Sequence, residues 1–472
     1  MAGAALLIDF GSTYTKLRAV DLKRGRILAS GQGPSTVTTD IMIGMKAGLA
    51  DLERHLGTLP RFDYRLASSS AAGGLRMVTV GLVRELTAEA ARRAALGAGA
   101  KLVGTFAYRL THGDVDRIVA LAPDILLLAG GTDGGNSEVI LHNAQALGRS
   151  ALQCPIVLAG NRNAVDEAAT ALSGREVLVA ENVMPEFNVL NIEPARAAIR
   201  QVFIDRIVHA KGIDRAHEEF DRVLMPTPAA VLEGARLLAD GCPGVAGLGS
   251  VLVVDPGGAT TDVHSVASGQ PSTEGVIMQG LPEPRVKRTV EGDLGMRHNA
   301  ANIVEASGVD AIARDARLPA GHVASLLAML GADVDRLPQT PDEVSLDQAL
   351  VRAAVRHAVL RHCGTIDTVY TVMGPALVQH GKDLSNVAAV IGTGGALVHS
   401  PRPEAVLEMA LADATTGKAL LPRNPRLMLD RHYLLYACGL LGSVEPQAAL
   451  ELALANLDTI DRKSSLERTV TA

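Results

Sequence analysis

At 472 residues the chain is too long for one ordinary hydrophobic core and calls for two or three domains. Its 45 basic and 51 acidic side chains are interspersed and sum to −6, which leaves no basic field for nucleic acid. Tryptophan is absent and aromatic residues make up 3%, so the cores must be built from Leu, Val, Ile and Ala in closely packed helices and sheets.

No apolar stretch reaches the roughly 18–20 residues that span a bilayer. The opening residues 1–7 lack the charged start of a secretory signal and run straight into a strand. A cytoplasmic protein without membrane contact is expected. Cys154, Cys242, Cys363 and Cys438 are widely spaced with no CxxC pair, the pattern of free buried thiols.

The first predicted element is a strand over 5–8 that delivers Asp9 to a turn, Phe10-Gly11-Ser12-Thr13-Tyr14-Thr15-Lys16, with a β-rich continuation to Val20. A glycine turn of this kind lets bare N–H groups and Ser/Thr hydroxyls wrap phosphate oxygens. The Asp beside it can hold Mg²⁺ directly or through water, as a hard cation prefers. Taken alone, the same residues also make an ordinary hairpin. A helix over 41–56, a strand over 65–70 and an Ala-rich helix over 87–96 follow.

From about 100 to 200 short apolar runs alternate with helices and end in Gly-containing turns, which predicts a parallel α/β sheet inserted in the first lobe. Its strand ends bring together Gly130-Gly131-Thr132-Asp133-Gly134-Gly135-Asn136 and Gly160-Asn161-Arg162-Asn163. These loops are either a polar contact site for a partner or its cofactor, or tight strand-to-helix turns.

Pro226-Thr227-Pro228-Ala229-Ala230-Val231-Leu232-Glu233-Gly234 predicts a helix opened by proline and small enough on one face to cross another helix closely. A second hairpin comes next: the strand 251–254, then Asp255-Pro256-Gly257-Gly258-Ala259-Thr260-Thr261-Asp262, then β-rich residues to Val266. Two such turns, each between strands, turn the phosphate reading from an option into the expectation. Phosphate contacts are assigned to Gly11, Ser12, Thr13, Thr15, Lys16, Gly257, Gly258, Thr260 and Thr261, and Mg²⁺ to Asp9, Asp255 and Asp262. Arg285, Lys287, Arg288 and Arg297 form a short basic cluster that either touches nucleotide or an acidic partner, or faces water. Mostly helical sequence to 362, strands over 369–373 and 388–391, a helix over 430–441 and a frayed polar tail from 458 complete the chain.

The order of these motifs resembles the actin, Hsp70 and sugar-kinase superfamily, in which two related domains close on ATP. The Asp9 turn resembles its phosphate-1 loop, the Asp255 turn its phosphate-2 loop, and the helix from Pro226 its first connecting helix. Val390-Ile391-Gly392-Thr393-Gly394-Gly395-Ala396 resembles its adenosine turn, which adds Gly392, Gly394 and Gly395 to the nucleotide contacts. Where Hsp70-like members carry a water-positioning Glu before that proline, this chain has Met225. Slow hydrolysis is expected, and the catalytic base is left unassigned.

Leu126-Leu127-Leu128-Ala129-Gly130-Gly131-Thr132-Asp133 and Lys287-Arg288-Thr289-Val290-Glu291-Gly292-Asp293-Leu294-Gly295-Met296-Arg297 lie outside that shared core. They resemble the GlmL family, also called MutL, over about 6–441. The resemblance implies an α/β two-lobed actin/Hsp70-like ATPase fold, with duplicated ribonuclease-H-like domains and a Rossmann-like insert. It implies lobes at 1–248 and 249–442 and a C-terminal helix and tail at 443–472. It also implies ATP and Mg²⁺ as cofactors, and a reactivating chaperone role toward the subunits of adenosylcobalamin-dependent glutamate mutase. A small-molecule kinase or activator ATPase of the same fold is the alternative. The iron–sulfur activator branch is disfavoured by the isolated cysteines, although a cluster bridging two subunits could use them.

Overall fold

A computed structural model describes residues 3–11, 14–36, 40–69, 75–210, 222–372 and 374–461. The chain divides into two compact units. One contains Met1–Leu237, Cys242–Val245 and Leu435–Ala455; the other contains Leu238–Gly241, Ala246–Leu434 and Asn456–Ala472.

The first unit starts from β1 (Ala4–Phe10), whose seven residues are all buried. A run apolar on both faces belongs at the centre of a covered sheet. β2 (Tyr14–Asp21) and β3 (Arg26–Pro34) continue from it as antiparallel hairpins. Helix α1 (Ile41–Leu56) then packs on this sheet, capped by Asp40, whose carboxylate accepts the Met42 N–H. β4 (Tyr64–Ser69) pairs with β1 in parallel.

An inserted parallel sheet follows. It alternates β5 (Leu75–Gly81), α2 (Glu89–Gly97), β6 (Ala100–Ala107), α3 (His112–Ala120), β7 (Ile125–Leu128), α4 (Glu138–Gly148), β8 (Ile156–Leu158), α5 (Val165–Ala171) and β9 (Val177–Val179). The spatial order β6-β5-β7-β8-β9 is the 2-1-3-4-5 order of a doubly wound sheet, with its own core from Val80, Leu126, Leu128, Ile156 and Leu158. The sheet opens at Leu75, ahead of the expected 100, because β5 is buried nearly throughout and carries no alternating pattern to betray it. Helix α6 (Glu193–Ala210) leads to β10 (Arg222–Pro226), which pairs with β4 and completes the order β10-β4-β1-β2-β3. Helix α7 (Thr227–Asp240) starts directly from β10.

After a short ribbon, β11 (Gly241–Cys242) and β12 (Val245–Ala246), the same pattern begins again. In the second unit β13 (Val251–Pro256), β14 (Thr261–Val266) and β16 (Val286–Glu291) pair antiparallel. β19 (Ala389–Gly392) joins β13 in parallel and β20 (Arg426–Leu429) joins β19 in parallel. The order β16-β14-β13-β19-β20 therefore repeats β3-β2-β1-β4-β10 strand for strand and direction for direction. The chain is an α/β protein carrying the ribonuclease-H-like sheet twice.

Helices α8 (Ala300–Ser307), α9 (Val309–Ala316), α10 (Ala320–Ala332) and α11 (Pro341–His362) cover the second sheet, with Leu346, Leu350, Val351, Val355 and Val359 of α11 at the core. A separate three-stranded sheet has the order β15-β18-β17 and is made of β15 (Ile277–Gln279), β17 (Thr365–Thr371) and β18 (Gly374–His380). The strand expected over 369–373 is thus the outer arm of a hairpin rather than a central strand; Met373 lies outside the described residues. Short helices α12 (Gly395–Val398) and α13 (Pro403–Leu407) precede β20, and α14 (Leu435–Leu441) and α15 (Pro446–Asn456) follow it.

Helix α14 packs on β1 and β4 of the first unit, so the expected second lobe ending at 442 loses its last helix to the first. Its seven residues are all buried, which no local pattern ties to a sheet several hundred residues earlier. The expected frayed tail from 458 instead begins with β21 (Asp458–Ile460), paired antiparallel with β20; residues 462–472 lie outside the described ones.

Candidate functional site

Asp9 is carried to the end of β1 and is 6% exposed. Its Oδ1 accepts from the Thr227 hydroxyl at 2.6 Å and from the Ser68 hydroxyl at 3.4 Å. Burial dominates and pushes its carboxyl above the usual range, against the pull of Lys16, Thr227 and Ser68. The turn beyond it closes through the Gly11 N–H donating to the Tyr14 carbonyl at 3.1 Å. A Cβ at Gly11 would sit 2.6 Å from that oxygen, so the turn requires glycine. Ser12 and Thr13 lie outside the described residues.

Thr15 is fully buried, and its hydroxyl has no hydrogen-bond partner among the described residues. Strand register sets Lys16 opposite Asp9 on one side and Ser68 on the other, with Met225 of β10 opposite Ser68. Lys16, Asp9, Ser68 and Met225 thus form one row across the strand ends.

The second hairpin repeats this arrangement residue by residue. Asp255 and Asp262 are register partners, as Asp9 and Lys16 are, and the Gly257 N–H donates to the Thr260 carbonyl at 2.8 Å. Thr261 corresponds to Thr15, is equally buried, and donates to the Leu294 carbonyl at 2.6 Å. Gly258 is exposed at the turn. The Thr260 hydroxyl donates to Asp262 Oδ2 at 3.0 Å, while Arg288 grips Asp262 Oδ1 through Nε at 2.7 Å and Nη2 at 2.5 Å.

Beside it, β19 ends in Gly392-Thr393-Gly394-Gly395. Gly394 has φ 86 and lies against Asp255, where a Cβ would clash with the carboxylate Oδ1. Gly395 is exposed and opens α12. The Thr393 hydroxyl donates to Asp430 Oδ2 at 3.1 Å, and Asp430 Oδ1 accepts the Leu434 N–H at 2.8 Å. By register Asp430 stands where the first unit has Met225, so the two sheets put a carboxylate and a thioether at matching strand ends.

The four cations singled out in the sequence each have a carboxylate. Arg285 pairs with Asp240, Lys287 with Glu283, Arg288 with Asp262 and Arg297 with Asp347. They are fold-internal pairs and not a basic field. The glycine loop 130–136 is also held from within. Asn161 accepts the Gly134 N–H and donates to the Gly135 and Asn136 carbonyls; Asn182 donates to the Gly131 carbonyl and to Asp133. These contacts make it a tight strand-to-helix turn.

Thr227, Ser68, Asp430 and the Arg288 partner of Asp262 were not legible as site residues. Thr227 stood in the motif read as a helix start, and its hydroxyl reaches Asp9 only because β10 and β1 share a sheet.

A twice-repeated five-strand sheet, each copy bearing an Asp and a glycine turn at the same strand junction, defines the actin/sugar-kinase type of ATPase fold. Within that class the chain belongs to the MutL protein family, whose model matches residues 5–457. It is 46% identical over 452 residues to Protein MutL of Clostridium tetanomorphum, covering 95% of this chain and 98% of that one. Among solved structures it is similar to xylulose kinase from Bifidobacterium adolescentis, at 11% identity over 98% of this chain and 96% of that chain, TM-score 0.35. Another is ROK hexokinase from Thermus thermophilus, at 13% identity over 96% and 98%, TM-score 0.29. A third is the ethanolamine utilization protein EutJ from Carboxydothermus hydrogenoformans, at 12% identity over 96% and 90%, TM-score 0.26.

Proposed function

We propose that the chain binds Mg-ATP through its two equivalent hairpins and uses it to reactivate adenosylcobalamin-dependent glutamate (methylaspartate) mutase. Damaged cofactor would be exchanged for intact cofactor. The observation that carries the reading is the residue-by-residue equivalence of the Asp9 and Asp255 turns, within a MutL-family chain.

The two turns support the assignment in part: Thr261, fully buried with its hydroxyl spent on the Leu294 carbonyl, does not suit a phosphate contact. Each turn is closed by a glycine that no larger residue could replace without moving the neighbouring carbonyl, and the Gly11 and Gly257 N–H groups are themselves spent on that closure. Gly11, Ser12, Thr13, Thr15 and Lys16 are assigned to phosphate in one hairpin, and Gly257, Gly258 and Thr260 in the other. Gly392, Gly394 and Gly395 are assigned to adenosine. Among the described residues no group of three or more His, Cys, Asp or Glu gathers to hold a metal. Single carboxylates from Asp9, Asp255 and Asp262 suit Mg²⁺, which keeps most of its water and takes phosphate oxygens.

ATP supplies a phosphoanhydride whose cleavage changes what the turns hold. Asp9, desolvated and shifted toward its neutral form, is the carboxylate a nearby cation would re-ionise. Met225 can neither accept a proton nor orient water, so turnover is slow. The test is ATP turnover with and without the mutase holoenzyme, where stimulation by the holoenzyme supports the reading. Stimulation by a small acceptor with a phosphorylated product would replace it with a kinase.

A further inference from the structure

The inserted sheet of the first unit ends at β6, which has β5 on one side and no strand on the other. In a parallel pair alternate residues turn their N–H and C=O groups to the neighbour, and the rest leave theirs on the outer edge. A bulge at Val103 shifts the β5 register, and residues 104–107 run straight beyond it. Among the described residues only β5 hydrogen-bonds this stretch of backbone.

A groove of about 520 Å³ follows that edge, lined by residues 103–107, by Asp114, Arg117 and Ala120 of α3, and by Arg84. Thr105 and Phe106 are consecutive and point to opposite faces of the sheet, so a space lined by both runs along the strand edge itself. Its free chemistry has one sign. Arg84 and Arg117 are exposed, and neither has a hydrogen bond or salt bridge among the described residues; the Arg117 guanidinium stands 5.8 Å over the Phe106 ring. Asp114, the carboxylate in the lining, is already spent on capping α3, where it accepts the Thr111 N–H at 3.0 Å and the Thr111 hydroxyl at 2.7 Å.

We propose that this groove takes an extended acidic segment of the mutase, paired strand to strand on 104–107 with its carboxylates on Arg84 and Arg117. An open strand edge is satisfied by the main chain of an extended segment, and two uncommitted guanidiniums beside it call for carboxylates. Naming the mutase as the source of the segment rests on the reactivation reading, whereas the chemistry of the groove does not.

Two measurements on the full chain test this. A labelled peptide of alternating Glu and Val, titrated by fluorescence anisotropy, probes the chemistry, and capture of mutase holoenzyme in the presence of ATP probes the occupant. The wild type should bind the Glu-Val peptide, but neither a Lys-Val peptide nor a Glu-Val peptide with proline in place of alternate valines. Arg84→Glu and Arg117→Glu, both at exposed positions, should each weaken peptide and mutase roughly ten-fold, with ATP affinity and melting temperature little changed. Lys46→Glu, an equal change of charge at an exposed position of α1, should weaken neither. A wild type that ignores the Glu-Val peptide overturns the proposal, as does binding of peptide or mutase that survives both arginine reversals. Mutase that never binds the wild type overturns this occupant and the reactivation reading together, whereas loss of the peptide result with mutase capture intact overturns the groove alone.

Discussion

At the first strand end one oxygen of Asp9 is already engaged by two hydroxyls, and burial opposes its charge. Replacing it with Asn keeps those contacts and removes the charge. Asp9→Asn should weaken Mg-ATP by about 1–3 kcal/mol, roughly 5- to 150-fold, in titration calorimetry. Unchanged affinity would remove the carboxylate from the site. Asp262 differs because it neutralises Arg288, whose side chain is 4% exposed. Asp262→Ala should therefore weaken Mg-ATP and also cost on the order of 1–3 kcal/mol of stability in urea unfolding, since it removes a carboxylate partner from a buried guanidinium. Adding Arg288→Met should recover the stability and leave the affinity low. Met225 lies in the same row two strands from Asp9, so Met225→Glu should raise kcat for ATP with little change in its Kd. A fast wild-type ATPase would place the base elsewhere. Histidines set the acid limit of the second unit. His264 is pushed down to about 3 and His362 well below its usual value, each chiefly by burial. Both stay neutral in the fold, while the unfolded chain protonates them near pH 6.5. The contribution of His264 is fully present above that pH and is lost as pH falls toward 3, by roughly 2 kcal/mol at pH 5, and His362 acts in the same direction. His264→Gln should flatten the fall in stability between pH 7.5 and 5; an unaltered slope would show that His264 does not set it.

The elements that were legible were those whose signal is local. Both hairpins announced themselves, because Asp, a required glycine and the flanking strands lie within a few residues. The parallel insert was legible from its alternation, but β5 was missed because a doubly buried strand has no period to read. The long-range partners were not legible: Thr227 on Asp9, Arg288 on Asp262 and α14 on the sheet of the first unit are consequences of topology. The helix expected from Pro226 did announce a close crossing, and α7 makes it. A Cβ at Gly234 would lie 2.2 Å from the Leu435 carbonyl oxygen, and one at Gly439 would overlap the Ala230 carbonyl at 1.9 Å. Backbone cannot yield as a side-chain tip does. Gly439→Ala should cost about 1–3 kcal/mol despite the better helix propensity of alanine, seen as a lower melting temperature. A neutral or stabilising result would mean that the helices separate freely.

The whole molecule joins two copies of one sheet, an inserted doubly wound sheet in the first copy, and phosphate-type turns at matching strand junctions. Among the described residues no helix is long and apolar enough to cross a membrane. The proposed reactivation would require moving free energy from ATP into a partner. Under that proposal damaged cobalamin leaves only when the mutase opens, a change that costs free energy. ATP can drive the opening only if the factor's ATP and ADP states differ in affinity for the opened and closed partner. Equal affinity shifts nothing, however tight the binding, and a change from 1:99 to 99:1 needs about 5.5 kcal/mol of difference. Association with the mutase should therefore depend on the nucleotide, with the parallel-sheet insert as the contact. The experiment is to inactivate the holoenzyme by turnover and add the protein with ATP, ADP or a nonhydrolysable analogue plus fresh adenosylcobalamin. Activity should return with ATP, and the analogue should arrest the mixture as a stable complex. Asp9→Asn should leave activity lost at ATP concentrations that restore it with wild type. Equal recovery under every condition, including no added protein, would sink the reactivation reading while leaving the ATP site to stand or fall on the calorimetry.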